Sequence, residues 1–287
     1  MTSVVIPVYN GAAILPTTVP AVLASEGADE IIWVDDGSTD QTANVLRRLT
    51  AHDLRASIVA HEINRGRSAA RNRGAEVARG KRLVFLDADV EPGPGSIRGL
   101  AESLSNDAIA SVCRFEPVPT NPGEPYQDYA TSATRGPDPG LEVGSVLEWR
   151  YFLTGACAVT REAFEAAGRF PESVLYGEDV SFGAALQTVR PRGLRLAGPP
   201  VRLHDIGDLE RAIANAEAYG SNMTHEASHA LERYAAAAPL ASAGIPVLQR
   251  VISWLPAGRA RRKAVRYLLA SVALAAFDRA RDSTPSA

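Results

Sequence analysis

The chain contains 287 residues, of which 46% are apolar, and it carries a formal net charge of −3. This length allows one large α/β domain with an appendage, or two modest domains, each with a buried core. The small negative charge gives no electrostatic basis for nucleic acid as a general partner. The two cysteines, Cys113 and Cys157, lie far apart among small or apolar neighbours, and their spacing indicates neither a metal-binding pair nor a disulfide framework.

The first residues of the chain bear on the cellular compartment in which the protein is expected. Residues 3–8 form a strand-like apolar run, and neither a basic leader nor a small-residue cleavage site precedes them. Together with the cysteine pattern, this predicts a protein of the reducing cytoplasm. A peripheral position at the inner face of the membrane stays open as an alternative because of the C-terminal segment described below.

The first part of the chain alternates short apolar runs with longer mixed segments. The runs predict strands at residues 4–8, 30–34, 56–60 and 82–86, and the segments between them predict helices at 12–25, 39–50 and 66–79. This alternation predicts a mostly parallel sheet with helices on both faces. Ligands of such sheets bind beyond the carboxyl ends of the strands, where each of these runs is followed by polar residues.

The pattern beyond Pro92 is less regular. It predicts helices at 96–105, 160–168 and 178–189, and strands at 108–115, 147–153, 155–159, 194–197 and 201–203. The segment 116–142 is rich in Pro and Gly and predicts a long surface loop or lid. From residue 209 the chain is alanine-rich and helical. We therefore predict a first domain at 1–205, with halves at 1–110 and 111–205, and a helical region at 206–287.

Two aspartates follow the apolar run at 82–86. Asp87 and Asp89 are two residues apart, so their side chains point to the same side of an extended chain. Two like charges this close destabilise a fold unless a cation lies between them, and carboxylates suit Mg²⁺ or Mn²⁺. His204, after the strand predicted at 201–203, is a further candidate ligand or a structural residue. The alternative for the two aspartates is a pair of solvated loop acids or a helix cap.

Acids and arginines follow the second and third predicted strands. Asp35 and Asp36 end the second strand, where carboxylates can accept hydrogen bonds from a base or a ribose. We expect Arg65 and Arg71, at the ligand edge of the sheet, to contact a diphosphate. Arg67 shares a helix face with Arg71, whereas Arg73 and Arg79 are expected to be solvated.

A second pair of acids, Glu178 and Asp179, opens a predicted helix after Gly177. The pair has two interpretations. It is favourable negative charge in a first helical turn, or one of the two carboxylates is a general base that takes a proton from an attacking hydroxyl or amine.

Taken together and in this order, these clusters resemble glycosyltransferase family 2, a group of inverting, nucleotide-sugar-dependent enzymes with the GT-A fold. The resemblance rests on residues 4–10, 33–40, 64–66, 70–74, 85–89, 154–156, 164–170 and 177–179. It covers about residues 1–205. It implies an α/β GT-A domain, with a nucleotide-sugar-binding half at 1–110 and an acceptor and catalytic half at 111–205, followed by a C-terminal helical extension.

The resemblance also implies roles for single residues. The predicted donor-binding residues are Pro7, Tyr9, Asp35, Asp36, Arg65, Arg71 and Asp87. Asp89 would bind a divalent cation, Mn²⁺ or Mg²⁺, with Asp87 and His204 as further ligands. Asp179 would be the catalytic base. The predicted acceptor-side or supporting residues are Glu178, Gly155 and Ala156.

A motif that this sequence lacks bears on whether sugar transfer is processive, and two other functions stay open as alternatives. The family's processive synthases carry a Gln-x-x-Arg-Trp motif, but here Gln187 and Arg190 are followed by Pro191 and lie too close to Asp179. The resemblance therefore implies non-processive transfer of one sugar to a hydroxyl or an amine. The alternatives are a sugar-1-phosphate nucleotidyltransferase and a non-catalytic nucleotide-sugar-binding scaffold. A lipid carrier, a glycan and a small natural product all stay open as acceptors.

The C-terminal segment joins a basic cluster to an apolar run. The cluster consists of Arg259, Arg261, Arg262, Lys263 and Arg266. The apolar run that follows, at 267–277, is about half the length that spans a bilayer. The segment is either a helix packed on the main domain, with a solvated basic start, or an interfacial helix that contacts an anionic membrane.

Overall fold

The computed structural model describes residues 1–132, 137, 140–174, 176–221 and 245–283. Contacts divide the chain into two compact units. The first comprises residues 1–118, 136–174 and 178–205, and the second comprises residues 119–135, 175–177 and 206–287. The segments 119–135 and 175–177 thus group with the C-terminal helices.

The first unit is built on a seven-stranded sheet. Its strands and those of a smaller sheet are β1 (Thr2–Val8), β2 (Glu30–Asp35), β3 (Ala56–Ala60), β4 (Arg82–Leu86), β5 (Val90–Pro92), β6 (Ala110–Val112), β7 (Phe115–Pro117), β8 (Ala156–Thr160), β9 (Leu194–Leu196) and β10 (Val201–Leu203). The large sheet has the order β3-β2-β1-β4-β8-β6-β9, and the small sheet has the order β5-β10-β7. The first four strands of the large sheet are parallel, and β8 is antiparallel to both its neighbours.

Ten helices accompany these strands in the described part of the chain. They are α1 (Leu15–Ala24), α2 (Thr42–Thr50), α3 (Arg67–Val77), α4 (Ser96–Glu102), α5 (Pro125–Ala130), α6 (Arg161–Ala166), α7 (Glu178–Val189), α8 (Leu209–Ser221), α9 (Ile245–Trp254) and α10 (Arg259–Ser283). A short 3₁₀ helix spans Trp149–Tyr151.

Helices cover both faces of the large sheet. Successive residues of a strand point to opposite faces, and accordingly Val4 and Val5 of β1 belong to two different apolar clusters. The cluster of Val4 includes side chains of α1, α2 and α4, and the cluster of Val5 includes side chains of α3, α6 and α7. Burial on both faces explains why the central strands read as nearly continuous apolar runs. The predicted α/β architecture with a mostly parallel sheet is confirmed.

The helices of the first part begin a few residues later than predicted. Asn10 adopts a positive φ of 50°, and the Gly11 carbonyl oxygen accepts hydrogen bonds from the N–H groups of Ile14 and Leu15. A turn therefore occupies residues 11–14, and α1 begins at Leu15 rather than at residue 12. The strands predicted at 56–60 and 82–86 are confirmed at those bounds.

Two strand predictions in the second half are wrong. Residues 147–153 do not form a strand, because Trp149 and Phe152 both turn into the core and the Trp149 Nε1 donates to the Pro191 carbonyl oxygen at 2.9 Å. The strand predicted at 108–115 is split between the two sheets. The segment 116–142, predicted as a long surface loop or lid, contains the short helix α5, whose first turn is capped by the Glu124 carboxylate. Residues 133–136 and 138–139 of this segment lie outside the described residues, and the loop or lid stays a prediction.

The second unit is an assembly of helices. Leu248 and Ile252 of α9 pack with Val265, Leu268 and Val272 of α10. The helices α8 and α10 approach closely at Gly220, where an added Cβ would lie 2.0 Å from the Ala273 carbonyl oxygen. Most of the apolar run predicted at 267–277 is buried within this unit. Packing of the segment on the main domain and its contact with a membrane both stay predictions. No helix in the described ranges is long and apolar enough to cross a bilayer.

Candidate active site

The carboxyl ends of β1 and β2 are tied together by Asn10. Its backbone N–H donates to the Ser38 Oγ at 2.9 Å, and its Oδ1 accepts from the Thr39 N–H at 2.9 Å. Tyr9, beside it, is half exposed, whereas Pro7 is buried inside β1 in register with Val34 of β2. The structure therefore presents Tyr9 at the ligand edge of the sheet and keeps Pro7 within the strand.

Asp35 and Asp36 are both buried and hydrogen-bonded within the protein. The Asp35 Oδ1 accepts from the Ser38 N–H at 3.0 Å. Asp36 accepts from the N–H groups of Arg65 and Gly66, at 3.0 and 2.8 Å, and its Oδ1 lies 2.7 Å from the His61 Nδ1. Asp36 thus holds the loop between β3 and α3 in place. His61 was missed by the sequence analysis, although as the residue directly after β3 it lies on the expected edge.

Arg65 lies on the surface beside this loop. Its guanidinium forms an ion pair with Glu172 at 3.5 Å, and both side chains are largely exposed. The two residues border a cleft of about 220 Å³ that His61 and Asn72 also line. Arg65 is thus exposed on the surface, and its contact with a diphosphate stays a prediction.

Arg71 has a role that differs from the expected diphosphate contact. Its side chain is fully buried, and its guanidinium donates to Asp87 at 2.7 Å and to Glu178 at 3.0 Å. It also stacks on the ring of Phe170, with 5.5 Å between the guanidinium carbon and the ring centre. Because α3 packs its small residues against the sheet, a side chain on that face points into the protein. Arg71 therefore joins the end of β4 to the start of α7.

The charges of this network stabilise one another. Burial by itself lowers the pKa of Arg71, but the carboxylates of Asp87 and Glu178 outweigh it and raise that pKa further above its usual value. Burial likewise opposes ionisation of Asp87, yet Arg71 and, after it, Arg67 hold the pKa of Asp87 below its usual value. Arg71 and Asp87 are thus both charged at neutral pH.

Gly155 gives Asp87 the space that it occupies. The Asp87 N–H donates to the Gly155 carbonyl oxygen at 3.0 Å, and a Cβ at residue 155 would lie 3.1 Å from both the Asp87 Oδ2 and the Phe115 ring. The next residue, Ala156, is buried in β8 opposite Leu86. Both residues therefore act here as support for the β4 end, which was one of the two roles predicted for them.

Asp89 lies in a region of concentrated negative charge. Burial, followed by the like charge of Asp87 and a smaller effect of Asp205, raises the pKa of Asp89 to about 7. The positive charge of Arg67 opposes this rise. Arg67 thus acts on both aspartates of the pair, although the sequence analysis did not include it in the site. Its position one helical turn before Arg71 was the available signal.

His204 is paired within the protein. Its Nε2 lies 2.5 Å from the Glu91 Oε2, and its backbone N–H donates to the Asp89 carbonyl oxygen at 3.0 Å. Glu91, which also pairs with Arg202, was missed, although it continues the two-residue spacing of Asp87 and Asp89. Among the described residues, no three Asp, Glu, His or Cys side chains are arranged as a metal site. The metal role of His204 stays a prediction.

Asp179 occupies the first turn of α7, next to the buried Glu178. Its Oδ1 accepts from the Val180 N–H at 2.8 Å. Burial and, after it, the negative charge of Glu178 raise the pKa of Asp179. A carboxylate with a raised pKa is a stronger proton acceptor than an ordinary one, which is the property that a general base needs.

The sheet order and the polar strand ends define a GT-A-type α/β fold, and solved structures share it. The structure of S. aureus TarS 1–349 superposes with a TM-score of 0.59 at 16% identity, over 99% of this chain and 92% of that one. The mannosyltransferase PcManGT from Pyrobaculum calidifontis, solved with GDP-Man and Mn²⁺, gives a TM-score of 0.55 at 20% identity, over 99% and 76% of the two chains. At these identities the likeness shows the fold.

The family follows from sequence comparison. The model of glycosyl transferase family 2 matches residues 3–167, and the chain belongs to that family. The uncharacterized glycosyltransferase YibD of Escherichia coli strain K12 is 33% identical over 47% of this chain and 42% of its own. An undecaprenyl-phosphate 4-deoxy-4-formamido-L-arabinose transferase of Pseudomonas aeruginosa strain LESB58 is 40% identical over 39% of this chain and 35% of its own. The chain therefore spans less than half the length of these relatives.

Proposed function

We propose that this protein transfers a single sugar from a nucleoside-diphosphate sugar to an acceptor hydroxyl or amine, with inversion at the anomeric carbon and Asp179 as the general base. The observation that carries the proposal is the buried Arg71, which contacts Asp87 at the end of β4 and Glu178 at the start of α7. It fixes the strand end predicted to bind the donor against the helix turn that carries the base.

The donor side of the proposal rests on the edge formed by β1 and β2. Tyr9 is exposed there, and the buried Asp35 and Asp36 hold the loops around it. The fold neighbours support a nucleotide sugar as the ligand, because PcManGT was solved with GDP-Man and TarS with UDP-GlcNAc. A nucleoside binding at Tyr9 would direct its diphosphate towards Arg65 and Arg67.

A divalent cation fits the carboxylates at the end of β4. Burial and, after it, the negative charges of Asp87 and Asp205 raise the pKa of Asp89, so a cation bound there would stabilise its ionised form. Mg²⁺ and Mn²⁺ bind through one or two carboxylates together with phosphate oxygens and water, so a complete protein shell is not required. Asp89 would hold the ion, with Asp87 beside it. The ion would stabilise the negative charge of the departing diphosphate.

The reaction itself is a direct displacement. The acceptor oxygen or nitrogen forms a bond to the anomeric carbon while the bond from that carbon to the diphosphate oxygen breaks. The proton of the acceptor moves to the Asp179 carboxylate. Arg71 does not touch the reacting atoms; it positions Asp87 and Glu178.

The base is tested by substituting Asp179→Asn. We expect loss of transfer by at least about 10³-fold, because an amide cannot take the proton, with donor affinity retained. Asp107→Asn, at a side chain that is 88% exposed, is the matched control and should keep full activity. Transfer is measured as release of nucleoside diphosphate, and donor binding is measured by calorimetry. Full turnover by the Asp179→Asn variant would contradict the assignment.

The relatives suggest which acceptors to assay first. Undecaprenyl phosphate comes first because the name of the Pseudomonas relative contains it. Glycans and small hydroxylated products are assayed next. The product also distinguishes a glycosyltransferase from a sugar-1-phosphate nucleotidyltransferase. A nucleotidyltransferase would release pyrophosphate when given a nucleoside triphosphate and a sugar phosphate. The family match supports the transferase over that rival. The cytoplasmic location expected from the sequence stays a prediction.

A further inference from the structure

The second unit carries a surface that the proposed sugar transfer does not use. It comprises Trp254 and Arg250 of α9 with Arg259, Arg262, Lys263 and Arg266 of α10, and we name it the basic–aromatic surface. The two helices are joined by only four residues, 255–258. From residue 245 to residue 277 the sequence contains no Asp or Glu.

Helix α9 has an apolar inner face, and its outer face carries both basic and apolar side chains. Its inner face is apolar, with Leu248 3% exposed and Ile252 fully buried. Its outer face carries Val247, Arg250 and Trp254, which share one side of the helix at spacings of three and four residues. Trp254 is 87% exposed and Val247 48% exposed. A tryptophan left in water at this level is not explained by the packing of the unit.

Helix α10 continues the surface with positive charge. Arg259, Arg262, Lys263 and Arg266 are spaced i, i+3, i+4 and i+7, which places them along one side of its first two turns. The opposite side is buried through Val265 and Leu268. Arg261 lies on that inner side and pairs with Asp128. Arg261 is thus turned towards an internal partner, whereas Arg259 and Lys263 are exposed on the outer side.

A ligand for this surface must satisfy both of its properties. The row of cations selects an anionic partner, and the exposed Trp254 selects a partner with a zone that is partly apolar. The headgroup region of an anionic bilayer offers both, and tryptophan is enriched at that depth. A nucleic acid would match the charge but would leave Val247 in water.

We propose that the basic–aromatic surface binds the anionic phospholipid headgroups of a membrane, with Trp254 inserted among them. The apolar run of α10 takes no part in this, because it is buried in the second unit. The proposal concerns one face of the second unit and does not depend on the sugar-transfer activity.

Tryptophan fluorescence of the whole chain tests the insertion directly. The chain has three tryptophans, and Trp33 and Trp149 are 0% and 6% exposed, so changes in solvent exposure report mainly on Trp254. Vesicles containing phosphatidylglycerol should shift the emission to shorter wavelengths and protect it from acrylamide. Vesicles of phosphatidylcholine alone should do neither. The Trp254→Phe variant should lose the shift. An unchanged emission with the anionic vesicles would overturn the proposal.

Vesicle flotation tests the charges. The triple variant Arg259→Gln, Arg262→Gln, Lys263→Gln should bind phosphatidylglycerol vesicles about 100-fold more weakly at low salt, since each cation near an anionic surface contributes roughly fivefold. The triple variant Arg47→Gln, Arg48→Gln, Arg192→Gln changes the net charge equally at exposed positions and should bind as the unmodified protein does. An equal loss in both would overturn the proposal, because binding would then follow net charge alone.

Two further measurements separate a charge-based lipid site from a folding defect and from nucleic-acid binding. The charge-preserving variant Arg259→Lys, Arg262→Lys, Lys263→Arg should retain vesicle binding, and its loss would contradict a charge-based site even if the glutamine variant fails to fold. Binding to a single-stranded oligonucleotide is measured beside it. Tighter binding to the oligonucleotide than to the vesicles, unaffected by Trp254→Ala, would assign the surface to nucleic acid and overturn the proposal.

Discussion

Arg71 in the first unit and the cations at the start of α10 in the second unit have opposite surroundings. Arg71 is fully buried between the carboxylates of Asp87 and Glu178, whereas Arg259 and Lys263 of α10 are exposed to water. A buried guanidinium needs carboxylates in contact with it because its lost hydration must be offset, while an exposed one keeps its hydration and attracts anions at a distance. The same charge therefore organises the protein in one place and is available to a partner in the other.

The buried arginine also connects distant parts of the chain. Arg71 precedes Asp87 by 16 residues and Glu178 by 107 residues. It thus holds the end of β4 and the start of α7 in one geometry. Its stacking on Phe170 adds a contact from the segment between α6 and α7. Arg71 thus contacts Asp87, a predicted donor-binding residue, and Glu178, which directly precedes the predicted base Asp179.

The largest expected effect comes from removing the buried guanidinium. Arg71→Met should lower the free energy of unfolding by about 3–5 kcal/mol, because Asp87 and Glu178 are left as buried charges without a partner. The same substitution at the exposed Arg259 should change it by no more than about 0.5 kcal/mol. Urea denaturation of both variants measures the difference. Equal effects at the two positions would show that burial does not separate them.

A smaller effect is expected on the pH dependence of activity. Glu178 is the second cause, after burial, of the raised pKa of Asp179. Glu178→Gln removes that negative charge, so the pKa of Asp179 should fall, and the acidic limb of the kcat profile should move to lower pH. Glu165→Gln, which removes a surface pair with Arg169, serves as the control and should leave the profile unchanged. A shift to higher pH would contradict the base assignment.

The sequence predicts those parts of the fold that depend on local patterns. The runs at 56–60 and 82–86 become β3 and β4. The run of β4 is apolar because a central parallel strand is buried on both faces, whereas β3 is an edge strand that is only partly buried. Polar residues after these strands then lie at one edge as a matter of topology. Residues 147–153 are also predicted as a strand, yet they contain the 3₁₀ helix Trp149–Tyr151, with Trp149 and Phe152 both buried in the core. Side-chain packing of that kind is not encoded in periodicity.

In the candidate site, too, local sequence patterns predict some features, while others depend on tertiary packing. Helical spacing places Arg67 and Arg71 on one face of α3, but only the packed structure shows that Arg71 points inward to Glu178 while Arg67 is exposed. The pairing of His204 with Glu91 likewise joins residues on β5 and at the end of β10, two strands far apart in sequence. Contacts over such sequence distances follow from the tertiary fold alone. Trp254 illustrates the reverse case, since a tryptophan in an apolar helix is normally expected inside.

The central claim, a metal-dependent nucleotide-sugar site at the end of β4, is tested most directly by thermal shift with a panel of nucleotide sugars and Mn²⁺. A donor present at about 100 times its Kd should raise the Tm of the unmodified protein by roughly 5 °C when Mn²⁺ is present. Asp89→Asn should abolish the part of this rise that depends on Mn²⁺. No response to any nucleotide sugar, or an undiminished Mn²⁺-dependent rise in Asp89→Asn, would contradict the account.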